Sequence, residues 1–287
     1  MTGQNAAATT GLRRLREDDL EAAAALSRAV GWPHRLEDWH FGWRLGEGLV
    51  AQAAGRVVGT IMAWRFGAEH ATLGHVIVAP EAQGQGHGRR LMMAMLDQLG
   101  ATTSVKLHAT AAGQPLYASL GFVPHGGGVW QHQGTASGVG LVPLAEGERL
   151  RPAGRGDAAL LRRLDMAATG LDRAALLWSL LEVAEGVVLM RGEEPAGFSL
   201  LRRFGRGYVA GPVVAPDEAA ARSLMVYWIG RHSGQFLRID LVGDGKLSSW
   251  LQESGLVPVE GVIPMWRGSA PPTAGLHCFG LSSQALG

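Results

Sequence analysis

The sequence is poor in cysteine and in charge, and both shortages exclude classes of protein. Cys278 is the only cysteine among 287 residues, so neither an internal disulfide framework nor a cysteine-rich zinc site is expected. Charged residues make up 18% of the chain, with 26 basic against 25 acidic side chains. This balance predicts no broad surface for nucleic acid. The single thiol is typical of a protein of the reducing cytoplasm.

Long apolar runs are also lacking. No run of 18 apolar residues occurs, and the N-terminus has neither the basic region nor the apolar core of a secretion signal. These absences predict a cytoplasmic protein with no membrane partner. Histidine, aspartate and glutamate do not cluster at metal-ligand spacings, so no metal is predicted. The 47% apolar content is enough for two packed cores at this length.

What the sequence does contain is an internal repeat. Residues 76–80 read Val-Ile-Val-Ala-Pro, and residues 212–216 read Pro-Val-Val-Ala-Pro. In the same way Leu-Gly-Phe-Val-Pro at 120–124 is echoed by Ser-Gly-Leu-Val-Pro at 254–258. In both halves, the apolar periodicity predicts the same order of elements: a short strand, a helix, several strands and a further helix. This self-similarity predicts two α/β domains that arose by duplication.

A glycine-rich turn lies between a predicted strand that ends at residue 79 and a predicted amphipathic helix over 89–99. It reads Gln83-Gly84-Gln85-Gly86-His87-Gly88 and is followed by Arg89 and Arg90. Amides at the start of a helix have no intrahelical partner, and glycine lets an anion approach them closely. The turn therefore predicts a phosphate site. It is neither a P-loop nor a dinucleotide fingerprint, because the Gly-Lys-Ser/Thr and the Gly-x-Gly-x-x-Gly spacings are missing.

With its flanks, this segment resembles the GNAT superfamily of Gcn5-related N-acetyltransferases, whose Gln/Arg-x-x-Gly-x-Gly/Ala signature matches Gln83, Gly86 and Gly88. The resemblance covers residues 11–135, and the layout looks like bacterial members with a degenerate second GNAT repeat. It implies tandem α/β (α+β) folds, each a mixed, mostly antiparallel sheet flanked by helices with a splayed central strand. The implied bounds are 11–140 and 149–267, followed by a C-terminal tail over 268–287.

The resemblance implies that acetyl-coenzyme A (acetyl-CoA) binds the first repeat. The pantetheine arm would pair with the splayed strand, and one of its amides would hydrogen-bond to the thioester oxygen. The pyrophosphate would lie on the glycine turn, and Thr110 stands where the family often has asparagine, with His108 nearby as a possible replacement contact. The implied coenzyme contacts are Val76, Ile77, Val78, Gln83, Gly84, Gln85, Gly86, His87, Gly88, Arg89, Thr110 and Tyr117.

Amine attack on a thioester needs a proton acceptor for the amine and a proton donor for the departing thiolate. Tyr117 matches the family tyrosine that acts as general acid, although a buried tyrosine that only packs is the alternative. His75 stands near the position of the family's glutamate base, and a core histidine is an equal alternative. Trp32, His34 and Trp39 lie where GNAT folds line the acceptor pocket, and simple packing of these side chains also stays open.

The second repeat is predicted to be silent. Residues 217–221, which replace the glycine turn, read Asp-Glu-Ala-Ala-Ala, and Leu251 takes the place of Tyr117. Two carboxylates without glycine would repel a pyrophosphate. The predicted function is therefore an N-acetyltransferase that moves acetyl from acetyl-CoA to an amine of a small molecule or peptide by direct attack in a ternary complex. The alternatives are a non-catalytic acyl-CoA-binding sensor and an interaction module, and a homodimer is an open option for the assembly.

Overall fold

The computed structural model describes residues 11–138, 144–243 and 245–287. The chain divides into two compact units, one of Met1–Trp64 with Leu73–Thr102 and one of Arg65–Thr72 with Thr103–Gly287. Within the described ranges, no helix has the length and apolar character needed to cross a membrane.

The first unit is a sheet in the order β1-β2-β3-β4 with three helices. β1 and β3 both run antiparallel to β2. Of the side chains that the periodicity places on one face of the third helix, Leu91, Met92, Met95 and Leu99 are buried and Leu96 is half-buried. The elements are β1 (Gly11–Arg14), α1 (Leu20–Ala29), α2 (Leu36–Leu45), β2 (Glu47–Ala53), β3 (Arg56–Phe66), β4 (His70–Val78) and α3 (His87–Leu99). Residues 65–66 of β3 and 70–72 of β4 are counted with the second unit.

The second unit holds the remaining elements. Its strands follow the order β5-β13-β7-β12-β14-β11-β10-β9-β8, and β6 pairs with β13. The elements are β5 (Ser104–Ala109), α4 (Gln114–Ala118), β6 (Val123–Pro124), β7 (Val129–Thr135), β8 (Glu148–Ala153), α5 (Ala158–Thr169), α6 (Ala174–Val183), β9 (Glu185–Arg191), β10 (Glu194–Phe204), β11 (Gly207–Ala215), α7 (Glu218–Arg231), β12 (Phe236–Val242), α8 (Lys246–Glu253), β13 (Val257–Arg267) and β14 (His277–Leu281).

The final strand of each sequence repeat pairs with a strand of the other repeat. β7 runs antiparallel to β12 over its whole length, from Val129 opposite Val242 to Thr135 opposite Phe236. β13 in turn runs antiparallel to β5. A repeat of the sequence is therefore not the same division as a compact unit of the structure, and the repeat bounds 11–140 and 149–267 stay a prediction.

The C-terminal tail enters the sheet as β14. β11 and β12 pair directly only at their beginnings, where Tyr208 and Val209 lie opposite residues of β12 in parallel register. Beyond that point β14 lies between them and runs antiparallel to both. The backbone of Leu281 lies so close to Gly211 that a side chain there would collide with it. The tail is thus a structural strand of the second unit.

Candidate functional site

The turn before α3 leaves the N-terminus of that helix open. Gly84 and Gly86 adopt left-handed φ values of +74° and +81°, and no atom lies within 4 Å of where their side chains would begin. The amides of residues 84–86 donate to no backbone acceptor in the described ranges. α3 has no side-chain cap and no acidic residue in its first turn. Such a terminus attracts an anion through its free amides and its dipole.

The side chains around the turn leave this space to a ligand. The Gln83 amide donates to the Val78 carbonyl oxygen at 3.2 Å and ties the turn back to β4. His87 is buried, so its ring points away from solvent while its main chain stays at the start of α3. Arg89 and Arg90 are exposed in the first turn of the helix. A cradle of glycine amides beside two guanidinium groups fits the diphosphate of coenzyme A.

The N-terminus of α7, the matching helix of the second repeat, is capped by a side chain. The carboxylate of Asp217 accepts a hydrogen bond from the Ala220 amide at 2.8 Å and so caps α7. That hydrogen bond, together with Arg191 at 2.9 Å, lowers the pKa of Asp217 and keeps it charged. Leu251, in the place of Tyr117, is a fully buried core residue. β14 also pairs with residues 213–215, which correspond by sequence to 77–79, so the second repeat offers no open cleft there.

His75 interrupts β4. Its φ of +51° is left-handed, a conformation that costs a non-glycine residue about 1 kcal/mol. Its carbonyl oxygen accepts a hydrogen bond from Thr60 Oγ1 at 2.8 Å. The alternation of side chains expected for an extended strand does not hold at this residue, because a left-handed residue breaks the pleat.

The His75 ring lies in a cage of aromatic side chains. The ring centroids of Trp39, His34 and Trp64 are 4.3, 5.0 and 5.5 Å from that of His75. Burial lowers the pKa of His75 well below its ordinary value, the neighbouring His34 lowers it further and Asp38 opposes this. Its Nδ1 has no hydrogen-bond partner. The imidazole is therefore neutral at neutral pH.

The structure brings the predicted acceptor residues together around His75, but not in equal roles. Trp39 is fully buried, and its indole N–H donates to Ser27 Oγ at 2.9 Å. Trp32 and His34 are half-buried, with their ring centroids 5.9 Å apart. Only Trp32 and His34 thus reach the surface, and Trp39 supports the ring of His75 from the core.

Tyr117 lies in α4 of the second unit. It is 8% exposed, and its ring contacts Phe122 edge to face at a centroid distance of 6.2 Å. Burial raises the pKa of Tyr117 to about 12. The hydroxyl therefore stays protonated at neutral pH, as a proton donor must.

Thr110 and His108 are engaged within the protein. Thr110 Oγ1 accepts a hydrogen bond from the Gly113 amide at 3.3 Å, at the start of α4. His108 Nδ1 lies 2.7 Å from the carbonyl oxygen of Gln284 in the tail. His108 thus contacts the tail through Nδ1, and the suggestion that it replaces a coenzyme contact of Thr110 stays a prediction. Among the described residues, no group of histidine, cysteine and acidic side chains is arranged to hold a metal.

Gly113 sets the position of the Tyr117 ring, and enlarging it provides a test of that position. A methyl group at residue 113 would lie 2.7 Å from the ring and 3.3 Å from the hydroxyl, although the backbone φ of −83° accepts alanine. We expect Gly113→Ala to lower kcat by about 10- to 100-fold, because a displacement of about 1 Å has that effect on a reacting group. Coenzyme affinity should not change. Gly156→Ala, at a glycine with open surroundings, is the control, and equal loss in both variants would contradict the assignment.

Comparison with known families identifies the class. A model described as an acetyltransferase (GNAT) domain matches residues 44–124, and a second model with the same description matches residues 161–280. Together the two matches span more than half of the chain. The protein belongs to the GNAT acetyltransferases, with one such domain in each half, and is an acyltransferase.

Individual relatives agree with this. The chain is 28% identical to an uncharacterized N-acetyltransferase of Bacillus subtilis, YitH, over 96% of this chain and 98% of that protein. It is 28% identical to a holothin acyltransferase of a Pseudoalteromonas species over 71% of this chain and 68% of that one. A putative acetyltransferase of Pyrococcus horikoshii has the same fold, with a TM-score of 0.79, 19% identity and coverage of 100% and 98%. A tandem GNAT protein of the clavulanic acid biosynthesis pathway matches with a TM-score of 0.66 and 16% identity over 91% and 100%.

Proposed function

We propose that this chain is an N-acetyltransferase of the cytoplasm that moves acetyl from acetyl-CoA to an amine of a small molecule or peptide by direct attack in a ternary complex. The observation that carries the proposal is the contrast between the open N-terminus of α3 and the capped N-terminus of α7. When bound, acetyl-CoA supplies a thioester that amines can attack and a thiolate that can leave.

The first repeat supplies the coenzyme contacts in this proposal. The amides of residues 84–88 and the guanidinium group of Arg89 hold the diphosphate, while Gln83 keeps the turn in shape. The backbone of Val76, Ile77 and Val78 pairs with the pantetheine arm, and Thr110 contributes through the turn that it forms at the start of α4. An amide of β4 donates a hydrogen bond to the thioester oxygen of the substrate, where negative charge develops as the amine attacks.

Two side chains handle the protons. His75 is neutral at neutral pH because burial depresses its pKa, so it is available to accept a proton as the amine attacks. Tyr117 keeps its proton because burial raises its pKa to about 12, so it donates to the departing thiolate. Trp32 and His34, the half-buried part of the aromatic cluster, contact the acceptor.

The closed second repeat predicts how many coenzyme molecules bind. Calorimetric titration of the full chain with coenzyme A should give one site per chain. Asp217→Ala, which removes the cap of α7, should also give one site, because β14 still lies between β11 and β12. Two sites in the unmodified chain would contradict the silent repeat.

Activity itself is tested by thiol release from acetyl-CoA with a panel of amines. Release that depends on the amine, with an acetylated amine found by mass spectrometry, is the expected result. Coenzyme binding without release by any amine would favour an acyl-CoA-binding sensor, and no binding at all would contradict both functions.

A further inference from the structure

Lys106 on β5 is a lysine in an unusual place. It and Lys246 are the only lysines in the sequence, and it is half-buried, whereas Lys246 is exposed. Within the described residues its ammonium group forms no hydrogen bond or ion pair, and it is not among the side-chain atoms shut off from solvent. Burial lowers the pKa of Lys106 to about 8; the Cys278 sulfur opposes this shift and Arg173 adds to it.

The acidic group near Lys106 is already engaged. Asp165 is fully buried and binds Arg173 through two hydrogen bonds of 2.6 and 2.8 Å. Arg173 also donates to the Gly287 carbonyl oxygen in the tail. Among the described side chains, the carboxylate of Asp165 is therefore matched by Arg173 and is not available to balance the charge of Lys106. A half-buried ammonium without a counter-ion is costly, and a ligand anion would relieve that cost.

Other polar groups near Lys106 lack partners as well. His108, two residues along the same face of β5, lies in the field of Lys106. Its Nδ1 carries the proton because it lies 2.7 Å from a carbonyl oxygen, which leaves a lone pair on Nε2. Nε2 has no partner, and neither have the Nε2 amide of Gln284 and Thr72 Oγ1. The cluster therefore offers a cation, an amide donor, a hydroxyl and an imidazole acceptor.

We propose that Lys106, His108 and Gln284 form an acceptor subsite for a small amine that carries a carboxylate. The Lys106 ammonium and the Gln284 amide bind the carboxylate, and His108 Nε2 accepts a hydrogen bond from an N–H or O–H group of the same molecule. The inference rests on the proposed acetyltransferase function and names its substrate class. It also gives the C-terminal tail a part in specificity, because Gln284 belongs to it.

The test uses matched acceptors. The probes are the ω-amino acids from glycine to 6-aminohexanoate, each with its carboxamide, and the readout is kcat/KM at saturating acetyl-CoA. The best acid should exceed its carboxamide by about tenfold or more, as a charge-assisted pair predicts. Lys106→Met should lower kcat/KM for the acid by about tenfold or more and for its carboxamide by a smaller factor, because the carboxamide brings no charge to the ammonium group, and Lys106→Arg should keep part of the ratio. Lys246→Met is the control and should behave as the unmodified chain.

A second variant and a binding measurement separate the outcomes. Gln284→Leu should lower the acid-to-carboxamide ratio without removing turnover. The best acid should also raise the Tm of the unmodified chain, but not that of Lys106→Met, in the absence of acetyl-CoA. Turnover of amines with no preference for the acid, or a preference unchanged in Lys106→Met and Gln284→Leu, overturns the subsite and leaves the acetyltransferase standing. If none of the amines causes thiol release, the acetyltransferase function itself is overturned.

Discussion

Replacing Gly86 with aspartate should weaken coenzyme A binding by about 100-fold or more, equivalent to about 2.7 kcal/mol. The reason is the negative charge that the new carboxylate places at the start of α3. A carboxylate at this position would accept hydrogen bonds from the free amides of α3, as Asp217 does in α7, and would face the diphosphate with a like charge. The dissociation constant is measured by calorimetry.

Gly100→Asp is the matched control for this variant. Gly100 has a φ of +88°, lies at the other end of α3 and has the same open surroundings as Gly86. Both variants therefore add one carboxylate and the strain of a side chain at positive φ, about 1 kcal/mol. Gly100→Asp should lose more stability, because its carboxylate lies at the negative end of the helix dipole, but only Gly86→Asp should lose affinity. Unchanged affinity in Gly86→Asp would mean that the turn does not hold the coenzyme.

Tyr117→Phe should lower kcat by about 100- to 10,000-fold, the range that a general acid contributes. Affinity for coenzyme A should stay the same, because phenylalanine keeps the ring contact with Phe122. Tyr227→Phe, a partly buried tyrosine that packs against Trp228, is the control and should keep full activity. Turnover that survives in Tyr117→Phe would reduce this side chain to a packing role.

The pKa of Tyr117 fixes the shape of the pH profile. A raised pKa means that the protonated form persists as the pH rises, so the proton donor is lost only near pH 12. The lowered pKa of His75 acts in the opposite direction, since its neutral form persists as the pH falls below the ordinary histidine range. Neither group should therefore limit kcat between pH 7 and about 9. A fall in kcat near pH 9 that disappears in Tyr117→Phe would contradict the assignment.

Local patterns in the sequence were sufficient for the elements on either side of the glycine turn. The helix expected over 89–99 runs over 87–99, and the strand expected to end at residue 79 ends at residue 78. These elements have strong periodicity, and a proline or glycines mark their ends. In the second repeat, the apolar pattern over 207–215 predicts a strand in the same way, and β11 has these bounds.

Long-range pairing could not be predicted in the same way. Periodicity shows that a segment is a strand but does not identify its partner strand. The pairing of β7 with β12, the pairing of β13 with β5 and the position of β14 therefore cannot be predicted from the sequence pattern. The contact between His108 and Gln284 joins residues 176 positions apart. The left-handed backbone of His75 was equally hidden, because an apolar strand pattern gives no signal for a positive φ at a histidine.

The position of β14 has a consequence for any ligand of the second repeat. A strand tethered to the same chain is present at an effective concentration in the millimolar range or above, so a dissolved molecule that paired with β11 would first have to displace it. Glycines introduced at 217–221 would therefore not be enough to open this half, because β14 would still pair with residues 213–215.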